Sequence, residues 1–159
     1  MRAIIIYYSY SGNTKKVAEV LAEYLKQKGE VEIIGLEAQD ESNNFFAQCR
    51  RAFWHKRASI APIQNDLSGY DLICLGTPVW AFGPSPAMNA YLEQCFGLVG
   101  KDIILFTTYG SGTGNNRCLN YMQEALSKKG ARQFKRFSIQ QFKVKDKEFV
   151  LSKIKETIL

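Results

Sequence analysis

The sequence predicts an α/β fold: one doubly wound domain over residues 1–159, built on a five-stranded parallel sheet. Three observations lead there. Short runs of β-branched and aromatic residues alternate along the chain with segments of helical periodicity. The first and third runs are apolar on both faces, as strands covered from two sides must be. No internal repeat, low-complexity tract or linker divides the chain.

Ile4-Ile5-Ile6-Tyr7-Tyr8 is the first strand. It stops at Ser9-Tyr10-Ser11-Gly12-Asn13-Thr14, and Lys15-Lys16-Val17-Ala18-Glu19-Val20-Leu21 opens a helix. Val17, Leu21 and Leu25 form its apolar stripe, with Val20 and Tyr24 beside it. Lys26, Lys28 and Gly29 close it, as cations followed by a left-handed glycine commonly do. Val31–Leu36 is a partly alternating second strand, Tyr70–Thr77 a third and Lys101–Thr108 a fourth. Gln133–Ile139 is the fifth, polar enough for a sheet edge. Helices are predicted over Pro86–Gln94, Asn116–Lys129 and Asp146–Thr157, the last with Val150, Ile154 and Ile158 on one stripe.

Composition sets outer limits. Hydrophobic residues are 46% of the chain and charged residues 23%, which fits a globular protein with a real core and excludes disorder. No apolar run reaches the ~18 residues a membrane span needs. The first strand begins at once, so no signal peptide is expected and the location is expected to be cytoplasmic. Cys49, Cys74, Cys95 and Cys118 are scattered and His55 is the single histidine, poor material for a zinc site. The cysteines read as reduced thiols, Cys74 within a buried strand. A net charge of +6 favours anionic partners without choosing among them.

A strand, a tight turn and a helix N-terminus can bind phosphate. The first helical turn has N–H groups without acceptors, and the helix dipole adds roughly half a positive charge. Ser9, Ser11 and Thr14 add hydroxyls, and Gly12 allows close backbone approach. An ordinary capped helix explains the same residues. Neither G-x-x-x-x-G-K-[ST] nor G-x-G-x-x-G is present, so a nucleotide P-loop and a dinucleotide fingerprint are both excluded.

In a doubly wound sheet, ligands sit beyond the carboxyl ends of the strands, where strand order reverses. Two further loops open on that edge. Thr77-Pro78-Val79-Trp80-Ala81-Phe82-Gly83-Pro84 follows the third strand, and Thr108-Tyr109-Gly110-Ser111-Gly112-Thr113-Gly114 follows the fourth. A Trp in such a loop either covers something flat or tucks onto its own domain.

With these three loops in this order, the chain resembles the flavodoxin family over its whole length. The resemblance implies strand order 2-1-3-4-5 and flavin mononucleotide (FMN) as cofactor. It implies that Ser9, Ser11, Gly12, Asn13 and Thr14 hold the phosphate. Thr77, Pro78 and Val79 would lie along the ribityl chain and ring edge. Trp80 and Tyr109 would stack on or cover the ring, with Phe82 in reserve. Thr108, Gly110 and Gly112 belong to the second loop around the ring, Gly110 permitting close approach on the pyrimidine side. FMN carries the electron chemistry itself, so no side chain need be a catalytic acid or base.

The chain also departs from that family, whose free electron carriers are strongly acidic. No large insertion interrupts the fifth strand, which resembles the shorter form of the fold. The segment between the second and third strands is long, and Asn44–Arg57 reads as a helix with Arg50, Trp54 and Arg57 on one face. That face is either a solvated surface or a docking patch for an acidic redox partner or the phosphates of NAD(P)H. No nucleic-acid motif accompanies it. The leading function is an FMN redox protein carrying electrons between a reductase and an acceptor. An NAD(P)H-dependent quinone or small-acceptor reductase is the alternative, and a flavin-free binding module the second.

Overall fold

The computed structural model describes residues 1–39 and 59–158. The helix expected over 44–57, with Cys49, Arg50, Trp54, His55 and Arg57, lies outside the described residues.

Five parallel strands form one sheet: β1 (Arg2–Tyr7), β2 (Glu30–Gly35), β3 (Leu72–Pro78), β4 (Asp102–Tyr109) and β5 (Gln133–Gln140). Their spatial order is β2-β1-β3-β4-β5, the doubly wound order implied by the sequence, with β5 on an edge. Register is set along the middle of the strands, where Ile5 pairs with both Ile33 and Cys74, and Cys74 with Ile104. The order reverses between β1 and β3, so a crevice opens where these two strands end.

Among the described residues, four helices cover the sheet: α1 (Asn13–Lys26), α2 (Pro86–Gln94), α3 (Asn115–Ser127) and α4 (Lys147–Ile158). Alternate residues of each strand face opposite sides. On one side Ile4, Ile6, Ile73 and Leu75 pack with Met88 and Tyr91 of α2 and with Leu119 and Met122 of α3. On the other Ala3, Ile5, Cys74 and Ile104 meet Val17 and Leu21 of α1 and Val150 and Ile154 of α4. Each large apolar side chain so buried contributes about 1.5–3 kcal/mol. The expected stripes of the first and last helices are therefore the faces that cover the sheet.

One detail of the first helix differs from expectation. Its last turn ends at Gln27 in the right-handed conformation. Gly29 is extended at φ 159° instead of left-handed. The chain is already turning into β2 there, and Glu30 N donates to the Met1 carbonyl at 3.0 Å.

Candidate functional site

At the carboxyl ends of β1, β3 and β4, three turns meet around a cleft of about 480 Å³. Tyr10, Ser11 and Asn13 line it from the first turn. Pro78, Val79, Trp80 and Ala81 come from the second, and Thr108, Tyr109, Gly110 and Ser111 from the third. Gln141, from a short 3-10 turn (Gln141–Lys143) after β5, completes the wall. A cleft of similar size, about 490 Å³, lies at the opposite end of the sheet beside Met1, Asp71 and Asp102. It faces the amino ends of the strands, where a doubly wound sheet has no crevice, and we assign no site to it.

The first turn is held open at the start of α1. Gly12 is the N-cap residue, left-handed at φ 85°, and no side chain caps the helix from that position. A built Cβ at Gly12 would meet nothing within 4 Å, so the requirement for glycine is the backbone angle and not space. Lys15 N–H donates to Ser9 Oγ at 3.2 Å, and Lys16 N–H to the Gly12 carbonyl at 3.1 Å. The Asn13 and Thr14 N–H groups have no acceptor within the helix. No acidic residue stands in that turn, and Lys15 and Lys16 are exposed beside it. An anion is favoured here by dipole and charge together.

The second turn is strained. Trp80 N–H donates to the Gly83 carbonyl at 2.9 Å and Gly83 N–H to the Trp80 carbonyl at 3.0 Å. Between them Ala81 (φ 47°) and Phe82 (φ 66°) are both left-handed. This is the geometry of a two-residue hairpin with positive φ at both centres, which usually takes Asn-Gly. Gly114 abuts Phe82 so closely that a Cβ on Gly114 would stand 2.6 Å from Phe82 Cδ1. The second and third turns are thus packed directly on each other.

Eight of the fourteen sequence-selected residues line the cleft: Ser11, Asn13, Pro78, Val79, Trp80, Thr108, Tyr109 and Gly110. Six do not. Ser9 caps α1, and Gly12 shapes the turn beneath the wall. Thr14 is buried, its Oγ1 2.8 Å from Thr108 Oγ1. Thr77 is also buried, its Oγ1 3.1 Å from Ser85 Oγ and accepting from Ser85 N–H at 3.0 Å. Its side chain props the loop from within and does not reach the cleft. Phe82 is 44% exposed outside the cleft, with the Arg117 guanidinium 5.9 Å from its ring centroid. Gly112 lies in the exposed part of the third turn.

Trp80 lines the wall but is only 6% exposed. Tyr8 and Tyr10 meet its ring edge-on, at centroid distances of 5.7 and 5.6 Å. Of the two readings of this Trp, the one that tucks it onto its own domain describes its present packing. Tyr10, Ala81, Ser111 and Gln141 were missed. Tyr10 stands between two residues already singled out. Gln141 carries no motif at all.

Among the described residues that line it, none is an Asp, Glu, His, Cys, Lys or Arg. The described lining therefore offers hydrogen bonds, aromatic edges and a helix N-terminus, and no general acid or base of those types. Its volume falls in the range of about 300–1,000 Å³ usual for cofactor sites. A helix start whose first N–H groups lack a helical acceptor, beside an aromatic wall with no charged side chain among its described residues, fits a flat ring carrying a phosphate.

Comparison with known proteins agrees with this geometry. The structure is similar to a flavoprotein in complex with FMN from Lactobacillus acidophilus NCFM, with a TM-score of 0.69 and 22% identity over 92% of this chain and 98% of that one. It is similar to oxidised flavodoxin 2 from Bacillus cereus, with a TM-score of 0.61 and 20% identity over 98% and 99% of the two chains. A Streptococcus pneumoniae TIGR4 flavodoxin matches with a TM-score of 0.61 and 14% identity over 99% of this chain and 100% of that one. At these identities the likeness shows the flavodoxin-like fold. Residues 1–143, which hold all three turns and Gln141, match the NADPH-dependent FMN reductase family, and it is to this flavodoxin-like, FMN-binding family that the chain belongs.

Proposed function

We propose that the protein is an FMN-dependent oxidoreductase that draws reducing equivalents from NAD(P)H and delivers them to a small acceptor. The observation that carries this reading is the cleft built by three turns at the switch point of the sheet, with no charged side chain among its described lining residues. Membership of a family described as NADPH-dependent reductases supports the nicotinamide donor over a partner reductase. That reverses the order of the sequence expectations, in which the electron carrier led.

When bound, FMN supplies the electron chemistry. The chain's own residues bind and orient. In this reading the phosphate lies at the start of α1, met by the N–H groups of Asn13 and Thr14 and by the Ser11 hydroxyl. The ring lies between Pro78–Ala81 and Thr108–Ser111, with Tyr109 and Tyr10 as its aromatic neighbours. Ser9, Thr14 and Thr77 hold the turns in place from behind. A single unit spanning residues 1–159 and a cytoplasmic location belong to the same reading. Among the described residues no helix is long and apolar enough to cross a membrane.

The test is an absorption spectrum of the purified protein, or quenching of added FMN fluorescence, followed by anaerobic NADPH and NADH. Bleaching by NADPH alone supports the reductase. Bleaching only after a separate reductase is added would return the carrier to first place. No quenching at any FMN concentration would leave a flavin-free binding module.

A further inference from the structure

Gln141 follows the last residue of β5 and opens the 3-10 turn. Its carboxamide lies against Gly110 at the rim of the cleft. A Cβ placed on Gly110 would stand 3.3 Å from Gln141 Nε2 and 3.8 Å from Oε1. The preceding residue grips the same glycine: Gln140 Nε2 donates to the Gly110 carbonyl at 3.0 Å. β4 and β5 stay paired to their ends, Tyr109 opposite Gln140. Sheet register therefore places the Gln141 carboxamide, which does not hang from a loop tip.

The two aliphatic hydroxyls on this side of the cleft, those of Thr108 and Ser111, already have partners. Thr108 Oγ1 lies 2.8 Å from Thr14 Oγ1, and Ser111 Oγ lies 3.4 Å from Thr113 Oγ1. Asn13, the other lining carboxamide, belongs to the start of α1. Gln141 thus brings the carboxamide of the β4–β5 corner, with a donor and an acceptor side by side.

We propose that Gln141 is a specificity-determining residue of the flavin site, its carboxamide pairing with the imide edge of the ring. The inference rests on the FMN reading above, with the ring against the β4 turn. An imide edge carries one N–H donor between two carbonyl acceptors. A carboxamide can accept from that N–H and donate to one adjoining carbonyl. The pairing is neutral and needs no charged group, consistent with a wall that has none among its described residues.

The test compares fluorescence titrations of wild type, Gln141→Ala and Gln141→Met with FMN and with FMN methylated at the imide nitrogen. The methylated ring cannot donate. Wild type is expected to prefer FMN by about three- to tenfold, the worth of one net hydrogen bond. In both variants the ratio of the two dissociation constants is expected to fall towards one. That ratio is taken within each protein, so a partly unfolded variant still reports it, and it reads binding without turnover. An unchanged ratio in both variants overturns the assignment while leaving FMN binding intact. A wild type that quenches neither ligand overturns the FMN reading, and this inference with it.

Discussion

Thr14 and Thr108 are 94 residues apart in sequence, and their side-chain oxygens are 2.8 Å apart in a buried contact beneath the cleft. Thr14 belongs to the first turn of α1 and Thr108 to the end of β4. One hydrogen bond thus fixes the turn at the start of α1 relative to the turn after β4. Replacing Thr108 by Val leaves a buried hydroxyl unpaired, which costs about 1–3 kcal/mol. Thr14→Val is expected to cost a similar amount, and the double variant less than the sum. Urea unfolding of the four proteins measures the coupling. Strict additivity would mean that the two hydroxyls do not depend on each other.

Ser85 organises the loop after β3. Its Oγ accepts from Met88 N–H at 3.2 Å, capping α2, and its other contacts run to Thr77. Pro86 then opens α2, as suits a first helical position where the N–H has no acceptor. Ser85→Ala is expected to lower stability by about 1–2 kcal/mol, at the upper end for a cap because Thr77 also loses a partner. FMN affinity should fall along with it, since Pro78–Ala81 lie between Thr77 and Ser85. Parallel urea and fluorescence titrations check both. A fall in stability with no change in affinity would show that the loop keeps its shape without the cap.

Some of this was legible in the sequence and some was not, for physical reasons visible at particular residues. α2 matches the expected Pro86–Gln94 because helical periodicity is a local pattern. β3, expected over Tyr70–Thr77 and found over Leu72–Pro78, is shifted only at its ends because an apolar run covered on both faces is local too. The strand order came with the family resemblance, since pairing is non-local. The burial of the Thr77 hydroxyl is hidden from the sequence for the same reason. It belongs to a loop that faces the cleft, and only the fold reveals that its hydroxyl turns inward to Ser85. The packing of Trp80 depends on Tyr8 and Tyr10 arriving from the end of β1, a meeting that no spacing rule encodes. Gln141 sits in a three-residue turn with no signature, so sheet register alone brings it to the site.

The hairpin at Trp80–Gly83 should be improvable. Ala81 and Phe82 hold positive φ values that cost of order 1 kcal/mol or more for residues with a Cβ. Phe82 is exposed, so little core packing is lost with its ring. Ala81→Asn together with Phe82→Gly supplies the residues this turn favours. The expected result is a gain of about 0.5–2 kcal/mol in urea unfolding. Loss of stability would mean that Phe82 does more against Gly114 and Arg117 than its exposure indicates.

Alkaline pH should destabilise the protein through its buried thiols. Burial raises the thiol pKa of Cys74 and Cys118, in both cases from an ordinary value of 9.0. Burial also raises that of Cys95, to about 11, with the Lys129 ammonium partly opposing the rise. Tyr91 is raised by burial too, followed by smaller effects of Cys95 and Tyr70. A raised pKa means the folded state holds its proton after the unfolded chain has lost it. Below pH ~8 both states are protonated and these groups leave stability unchanged. As pH climbs past the unfolded thiol value, the unfolded chain ionises first and gains. Each buried thiol then removes about 1.4 kcal/mol per pH unit until its folded pKa is reached. The urea midpoint is therefore expected to be flat through neutral pH and to fall steeply from about pH 9. Cys95→Ala should reduce that slope by about one thiol's share up to the folded value near 11. A slope unchanged by Cys95→Ala would mean that this thiol titrates as it does in the unfolded chain, and that the packing around it opens to hydroxide well below the global transition.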